Sequence, residues 1–321
     1  MILALNGGSS SLKFATFDGE KCILRGQAAD LDDVFDRVGK PAAVGHRLVH
    51  GGPKHDKPAL VTDDLLADLE AAVEFAPLHL PAEIAAIRSV RERFGTLPQV
   101  VCFDTGFHQS LPAVARTFAI PQIAGVRRYG FHGLSYEYIA SVLTPEQQRR
   151  AVFAHLGSGA SLCAVRDGQS VDTTMGLTPA GGVVMGTRPG DLDPGVLLYL
   201  LDHGHDRASL DKLINHESGL KAMARTSDMQ QLMASRGTDP RASLAIDVFC
   251  YSVKKAIGSY AAVLGGIDTL VFTGGIGEHA AAIVQQISDG LGFLSIKEIL
   301  TIPTDEELVI ARATRRVVTR S

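Results

Sequence analysis

Cysteine is scarce in this sequence, and its placement excludes the usual cysteine-based sites. The 321 residues include only Cys22, Cys102, Cys163 and Cys250. These residues are far apart, form no C-x-x-C pair and lie in apolar surroundings. We therefore expect buried free thiols in a reducing compartment rather than disulfides or a zinc site.

Long runs of one charge and long apolar runs are also missing. The 31 Lys and Arg residues nearly balance the 35 Asp and Glu residues, giving a net charge of −4, so neither nucleic acid nor a membrane surface is an expected partner. No uncharged stretch approaches the roughly 18 residues of a membrane span. Met1 leads directly into a short apolar stretch, without the basic region and cleavage site of a signal peptide. The sequence predicts a soluble, cytoplasmic protein.

The G-x-x-x-x-G-K-[ST] motif of P-loop nucleotide-binding proteins is absent too. The dinucleotide-binding motif is matched, because "GGIGEHA" fits G-x-G-x-x-A between a predicted strand and a predicted helix. Too little chain follows it to build the further β-α-β units that a dinucleotide site needs. Phosphate binding would therefore have to use another kind of loop.

Glycine, by contrast, is abundant. The 33 glycines gather beside predicted strands, among other places in "NGGSSS", "HLGSGAS" and "FTGGIGEH". Such loops present backbone N–H groups and hydroxyls without bulky side chains, and a concave set of these donors suits phosphate oxygens. A plain hairpin turn is the alternative for any single loop, but the three together favour phosphate binding.

Predicted strands and helices alternate along the chain, which is typical of an α/β fold. "ILAL" and "LKFATF" predict a hairpin, "QVVCFDT" a buried strand that ends at Asp104, and "DTLVFT" a further buried strand. Helices are predicted after Thr62, from Pro81 to Gly95, in "PGVLLYLLDHG", over the stretch that begins "DPRASLAIDVFCYS", and from about His279.

The two halves of the chain resemble each other. At an offset of 150 residues, Ala4, Gly7, Ser11 and Leu12 match Ala154, Gly157, Ser161 and Leu162. Both segments also share a pattern of strand, small-residue turn, strand and Asp-Gly turn. The repeat predicts an internal duplication, and hence two similar lobes with a cleft between them.

Several polar residues lie in motifs near these loops. "GHRLVHGG" holds Arg47, "MGTRPGDLDPG" holds Arg188, and "APLHLP" and "RRYGFHGLS" hold His79 and His132. Each alone is compatible with a surface arginine or a histidine in a turn. Together with Asp104 they suit phosphoryl transfer, which needs positioning, a metal and positive charge on the equatorial oxygens.

The order of the motifs along nearly the whole chain resembles the acetate kinase family. The segments that carry the resemblance are "NGGSSSLKF", "GHRLVHGG", "APLHLP", "FDTGFHQSLP", "RRYGFHGLS", "HLGSGAS", "DTTMGLTPAGGVVMGTRPGDLDP", "FTGGIGEH" and "PTDEELVIARAT". The resemblance implies the duplicated actin-like ATPase (ribonuclease H-like) α/β fold that sugar kinases and Hsp70 share. It also implies a homodimer that uses Mg²⁺, with Mn²⁺ as a substitute. The implied reaction is reversible in-line phosphoryl transfer between ATP and acetate, which gives acyl phosphate and ADP.

Two alternatives to acetate kinase activity stay open. One is a propionate or butyrate kinase of the same family, since a single methylene is worth only ~1–3 kcal/mol of discrimination. The other is a non-catalytic relative that binds a nucleotide or an acyl phosphate. Retention of the residues below argues against the second alternative.

The resemblance implies individual roles for the charged residues of the motifs. Asn6 and Glu306 help to hold Mg²⁺, and Lys13 lies near the nucleotide phosphates. Arg47 and Arg188 bind the carboxylate and the transferring phosphoryl group.

For the acid substrate, the resemblance implies that His132 donates to the phosphoryl group and that Asp104 orients the acid and the metal. A carboxylate substrate is already ionised near neutral pH, so we expect Asp104 to position groups rather than to remove a proton. The acyl pocket is implied to consist of Val49, Leu78, Phe131 and Pro179, beside Arg47.

Two Gly-rich segments and a third, more distant segment are implied to bind the nucleotide. The residues are His155, Leu156, Gly157, Ser158, Gly159, Asp228, Met229, Gln230, Gly275, Ile276, Gly277, Glu278 and His279. The expected lobes are residues 1–108 with 308–321 on the acyl and metal side, and residues 109–307 on the nucleotide side. The tail is expected to return to the first lobe and to place Glu306 at the hinge.

Several motif positions depart from the family pattern, and the chain is shorter than usual members. The differing residues are Gly7 for Cys, Tyr136 for His, Ser158 for Asn, Gln230 for Arg, His279 for Asn and Val284 for Arg. We expect these departures to lie around the nucleotide and to change its binding more than acyl transfer.

Overall fold

Two mixed β-sheets form the framework of the computed structural model, which describes residues 1–7 and 12–320. Residues 8–11, most of the first predicted phosphate loop, lie outside the described residues. We call the region around the first sheet the first lobe and the region around the second sheet the second lobe.

The first sheet contains β1 (Ile2–Gly7), β2 (Leu12–Asp18), β3 (Lys21–Ala28), β4 (Ala43–Leu48), β5 (Ala59–Leu60) and β6 (Gln99–Phe103). The strands lie in the order β3-β2-β1-β4-β6-β5. The predicted hairpin is present, because β1 and β2 pair antiparallel with Asn6 opposite Lys13. β4 then joins β1 in parallel, and β6 joins β4 in parallel.

The second sheet contains β7 (Arg150–Leu156), β8 (Ala160–Arg166), β9 (Gln169–Thr173), β10 (Thr269–Thr273) and β11 (Glu298–Thr301). Its order is β11-β10-β7-β8-β9. Strand for strand, this repeats β6, β4, β1, β2 and β3 of the first sheet. The duplicated α/β fold predicted from the sequence is therefore confirmed. The residue at which one lobe gives way to the other stays a prediction.

Helices and short turns connect the strands and cover both sheets. The α-helices are α1 (Leu31–Val38), α2 (Asp63–Ala71), α3 (Leu80–Phe94), α4 (Ala113–Arg116), α5 (Gly133–Val142), α6 (Pro194–Asp202), α7 (Arg207–Lys212), α8 (Gly219–Ala224), α9 (Met229–Ser235), α10 (Pro240–Leu264), α11 (Gly274–His279), α12 (Ala281–Ser288) and α13 (Glu306–Val318). Single 3₁₀ turns cover Ala72–Phe75, Gly106–Ser110 and Gly292–Leu294, and a π turn covers Leu213–Glu217.

Local signals in the sequence explain most helix boundaries. The Thr62 side chain caps α2 by accepting from the N–H of Leu65. α3 has Pro81 in its first turn and ends before Gly95. The helix expected from about His279 is present as α12, but the additional short helix α11 over "GGIGEH" was not predicted. Gly274 adopts a φ of 77° there, so the chain turns from β10 straight into α11.

The C-terminal helix α13 packs on the first sheet, although the strands that it covers, β1, β4 and β6, come far earlier in the chain. Its apolar face, which includes Val309 and Ile310, joins one buried cluster with Ala4 and Val100. Gly45 on β4 allows the close approach, because a Cβ there would lie 2.2 Å from the Thr314 hydroxyl oxygen. Residues of α13 therefore pack directly against β1, the first strand of the sheet.

Helix α5 lies between the two sheets. Its residue Leu134 packs in the cluster of the first sheet, whereas Ile139 packs with the second sheet. Within the described ranges, none of the helices combines the length and the apolar character that crossing a bilayer requires.

The four cysteines are free, as expected, but one of them is not buried. Cys102, Cys163 and Cys250 are buried, whereas Cys22 is exposed. Cys22 lies on β3, the edge strand of the first sheet, where alternate side chains face away from the core.

Candidate active site

A cleft of about 450 Å³ lies between the two lobes. It is reached by the carboxyl ends of β1, β4, β6, β7 and β10, where ligand sites of open α/β sheets are usually found. The sequence-predicted residues that line it are Asn6, Lys13, Arg47, Val49, Asp104, Phe131, His132, His155, Gly157, Ser158, Gly159, Pro179, Arg188, Gly275, Glu278, His279 and Glu306.

Asp104 and Arg47 form a buried, bidentate ion pair at the centre of the cleft. The Nε–H of Arg47 donates to Oδ1 of Asp104 at 2.9 Å, and Nη2 donates to Oδ2 at 2.6 Å. Burial alone would lower the pKa of Arg47, but the Asp104 carboxylate raises it above its usual value. Because both oxygens of Asp104 are occupied by Arg47, the carboxylate is suited to hold the guanidinium in place.

Two carboxylates at the start of α13 meet the amide of Asn6. Nδ2 of Asn6 donates to Glu306 at 2.8 Å and to Glu307 at 2.7 Å. Burial raises the pKa of Glu306, and the charge of Arg47 opposes that shift. In the described part of the chain no cluster of three or more His, Cys, Asp or Glu side chains has metal-binding geometry.

Mg²⁺ nevertheless fits the donor set of Asn6, Glu306 and Glu307. Mg²⁺ is commonly held by one or two carboxylates, with waters and substrate phosphates completing its octahedral shell. The two carboxylates supply that hard-oxygen chemistry, and Mn²⁺ accepts the same ligands. The amide oxygen of Asn6 faces Arg47, whose Nη1 donates to it at 3.2 Å, so Asn6 would join the ligands only with its amide turned over.

His132 begins α5 in a left-handed conformation, with a φ of 58°. Its Nδ1 is hydrogen-bonded to the Ser161 hydroxyl at 2.8 Å, and its ring stacks on that of His155 with centroids 4.2 Å apart. Burial lowers the pKa of His132 well below its usual value, and the charges of His155, Arg47 and Arg188 lower it further. The ring is therefore neutral at physiological pH.

Arg188 reaches the cleft from the second lobe, and no carboxylate among the residues that the structure describes forms an ion pair with it. Its Nη1 donates to the carbonyl of Pro179 at 2.6 Å, and burial alone lowers its pKa. Gly159 leaves open the space that Arg188 faces, because a Cβ there would lie 2.9 Å from Nη2 of Arg188 and 3.3 Å from Nε2 of His132. A buried cation and an imidazole nitrogen therefore converge on one opening, which suits an anion.

Two small-residue segments also line the cleft. One is the turn after β7, where the N–H of Gly157 donates to the carbonyl of Gly159. The other is the start of α11, which Glu278 holds together. One oxygen of that carboxylate accepts from the N–H of Gly274 at 2.9 Å and from the N–H of Thr304 at 3.2 Å.

The acyl pocket predicted from the sequence is only partly assembled. Val49, Phe131 and Pro179 line the cleft, and Val49 and Phe131 are buried. Leu78, in contrast, is 45% exposed and does not line the cleft. His79, the next residue in the sequence, does line the cleft. Burial lowers the pKa of the His79 imidazole, and the charges of Arg47 and Arg188 lower it further.

Glu83 is a carboxyl group buried beneath this pocket. The N–H of Val49 donates to both of its oxygens, at 3.2 and 3.1 Å. Burial raises the pKa of Glu83 to about 8, against the opposing charge of Arg47. Glu83 is therefore largely protonated at neutral pH.

The structure does not bring every predicted nucleotide residue to the cleft. Leu156 is fully buried in β7. Asp228 caps α9 by accepting from the N–H of Gln230, and Met229 is buried. The predicted residues that do not line the cleft are Leu78, Leu156, Asp228, Met229, Gln230, Ile276 and Gly277.

Sequence interpretation also missed some lining residues and misplaced Tyr136. Gly274, Thr304 and Glu307 line the cleft without having been assigned to it, and His79, which was named with the phosphoryl-transfer residues, was given no role of its own. All four stand in the quoted motifs beside assigned residues, so adjacency is the signal that was available. Tyr136, expected near the nucleotide, instead lies fully buried behind His132, with its hydroxyl 2.5 Å from that of Ser161.

The chain is similar to known acetate kinases and to a propionate kinase. A model of the acetokinase family matches residues 29–299. An acetate kinase of Nitrobacter hamburgensis is 41% identical over 98% of this chain and 95% of its own. The crystal structure of a propionate kinase from Francisella tularensis is 35% identical, with a TM-score of 0.92 over 98% of this chain and 99% of that one. An acetate kinase from Porphyromonas gingivalis gives 30% identity and a TM-score of 0.87, over 99% of both chains.

Proposed function

The chain belongs to the acetokinase family, and on that premise we propose that it transfers a phosphoryl group reversibly between ATP and acetate. The products of the forward reaction are acetyl phosphate and ADP. The observation that carries the proposal is the convergence of Arg188, His132 and the Asp104–Arg47 pair on one opening between two lobes.

The transfer needs positive charge and hydrogen-bond donors rather than a covalent nucleophile. Charge in the transition state is spread over the three equatorial oxygens of the phosphoryl group. Arg188 and His132 donate to these oxygens from the second-lobe side. Arg47, fixed by Asp104, binds the acetate carboxylate and aligns it for in-line attack. Because acetate is already ionised, no general base takes part.

Asn6, Glu306 and Glu307 would hold the metal that accompanies the nucleotide. Bound Mg²⁺ neutralises the charge of the phosphate oxygens. Lys13 adds positive charge on the same side of the cleft. The turn at residues 157–159 and the start of α11 cradle the nucleotide phosphates.

Val49, Phe131 and Pro179 receive the methyl group of acetate. Because Leu78 does not close this pocket, propionate is the second candidate substrate, and a relative of known structure is a propionate kinase. One methylene changes selectivity by ~1–3 kcal/mol. We expect acetate to be preferred and propionate to be accepted.

The enzyme is further proposed to be a homodimer that pairs through α6. This helix has six apolar side chains in nine residues, and none of its residues is buried. Leu198 and Tyr199 are 64% and 60% exposed. Exposed apolar surface of this kind usually marks an interaction site. Light scattering on the purified protein tests the proposal, and a monomer at micromolar concentration contradicts it.

A hydroxylamine trap for acyl phosphate tests the activity. The purified chain is incubated with Mg²⁺ and with acetate, propionate or butyrate, each against ATP, GTP and pyrophosphate. We expect acyl hydroxamate with acetate and ATP, and about 100-fold less with Arg188→Gln. Arg207→Gln, which removes the same charge from the exposed start of α7, is the matched control.

Two results would contradict the activity. One is the absence of acyl phosphate with every acid and phosphoryl donor. The other is an ATP-induced thermal shift without turnover, which would identify a binding protein instead of a kinase.

A further inference from the structure

A buried chain of three side chains leads away from the cleft behind His132. The Tyr136 hydroxyl lies 2.5 Å from the Ser161 hydroxyl, which in turn lies 2.8 Å from Nδ1 of His132. Tyr136 and Ser161 are both fully buried. Neither residue lines the cleft, so neither contacts a bound substrate.

The protons available to Tyr136, Ser161 and His132 fix the direction of the two hydrogen bonds that connect them. Tyr136 carries one hydroxyl proton, and among the described residues Ser161 is the side chain to which that hydroxyl is hydrogen-bonded. A buried donor without an acceptor costs about 1–3 kcal/mol, so the tyrosine proton points to Ser161. The serine then has its own proton left, and its other partner is Nδ1 of His132.

The serine proton therefore makes Nδ1 of His132 an acceptor. A neutral imidazole carries one proton, and the pKa of His132 is well below its usual value. With Nδ1 accepting, that one proton must lie on Nε2. Nε2 is the nitrogen that faces the opening at Gly159 beside Arg188.

We propose that Tyr136 and Ser161 are positioning residues that hold His132 in the Nε2–H tautomer, so that it donates a hydrogen bond to the transferring phosphoryl group. The inference rests on the proposed phosphoryl transfer. In the other tautomer a lone pair of Nε2 would face the phosphoryl oxygens and repel them. The burial of Tyr136 raises the pKa of its phenol well above the usual value, which keeps the first donor of the chain protonated.

Nitrogen chemical shifts of the histidine rings test the proposal directly. The wild type, Tyr136→Phe and Ser161→Ala are labelled with ¹⁵N-histidine, and long-range ¹H–¹⁵N spectra distinguish a protonated ring nitrogen from an unprotonated one. We expect Nε2–H at His132 in the wild type. In both variants we expect a mixture of the two tautomers, because no hydroxyl proton of Ser161 is then held toward Nδ1 of His132.

Steady-state kinetics provide the second measurement. Removing the tyrosine hydroxyl is expected to lower kcat about 3- to 10-fold, as the loss of one hydrogen bond would. The KM values for acetate and ATP should stay within about twofold, since neither residue touches them. Tyr138→Phe is the matched control. It removes a tyrosine hydroxyl two residues further along α5 and leaves the hydrogen bonds from Tyr136 through Ser161 to His132 intact.

The two measurements separate this inference from the proposed activity. Nδ1–H at His132 in the wild type, or an unchanged Nε2–H tautomer in both variants, overturns the inference whether or not the enzyme turns over. Equal losses of kcat in Tyr136→Phe and Tyr138→Phe overturn it as well. A wild type without phosphoryl transfer refutes the proposed function, while the spectra still report on the tautomer.

Discussion

Glu83→Gln should remove a large part of the pH dependence of folding stability between pH 5 and pH 8. The pKa of this buried carboxyl is about 8 in the folded protein, against 4.5 for an unperturbed glutamate. In that interval the folded chain holds a proton that the unfolded chain has released. Stability therefore falls as the pH rises, and the fall levels off above pH 8.

The size of the effect follows from the same two values. Each pH unit between them is worth about 1.4 kcal/mol, so the full difference approaches about 5 kcal/mol. Glutamine does not titrate. Its amide leaves one buried donor without an acceptor, a constant cost of about 1–3 kcal/mol. The prediction therefore concerns the slope of stability against pH rather than its absolute value.

Urea denaturation at pH 5, 6, 7, 8 and 9 measures the slope. We expect the unfolding free energy of wild type minus that of Glu83→Gln to fall steadily up to pH 8 and then flatten. Glu92→Gln, on the exposed face of the same helix, controls for the loss of one negative charge. Parallel curves for wild type and Glu83→Gln would refute the reasoning, because they would mean that the buried carboxyl ionises as it does in water.

Three further substitutions test other parts of the site. Gly159→Ala places a methyl group against Arg188, so kcat should fall at least about 10-fold in steady-state assays, and an unchanged kcat would contradict an anion site there. Asp104→Asn leaves Arg47 buried without its counter-charge, which should lower stability by about 3 kcal/mol in denaturation and nearly abolish turnover; wild-type kcat/KM for acetate would show that the pair is dispensable. Tyr199→Asp should convert a dimer to a monomer in light scattering, and a persistent dimer would exclude α6 as the interface.

The sequence contained enough to predict the duplicated fold and much of the cleft. Alternating apolar runs and the repeat at 150 residues required two similar sheets, and both have the same strand order. Parallel strands end at the same edge, which is why Arg47 and Asp104, far apart in the chain, meet there. Family motifs supplied the other lining residues that were predicted.

Other features depend on packing that no local pattern records. Glu83 looks like an ordinary helical glutamate in the sequence, but in the structure it is buried and accepts from the N–H of Val49. Tyr136 stands in a recognised motif, but its partner Ser161 comes from the next sheet. Leu78 turns outward although its neighbour His79 lines the cleft. These differences concern side-chain direction, which sequence spacing does not determine.

The C-terminal helix has a consequence for the order in which this protein becomes functional during its synthesis. Asn6 and Glu307 are separated by 301 residues, so translation produces Asn6 long before Glu307. A nascent chain that lacks α13 holds both sheets and the Arg47–Asp104 pair, but not the carboxylates that would bind the metal. It also exposes the apolar face of the first sheet that Val309 and Ile310 later cover. A chain without α13 therefore lacks the proposed metal ligands and exposes an apolar surface of the kind that promotes association.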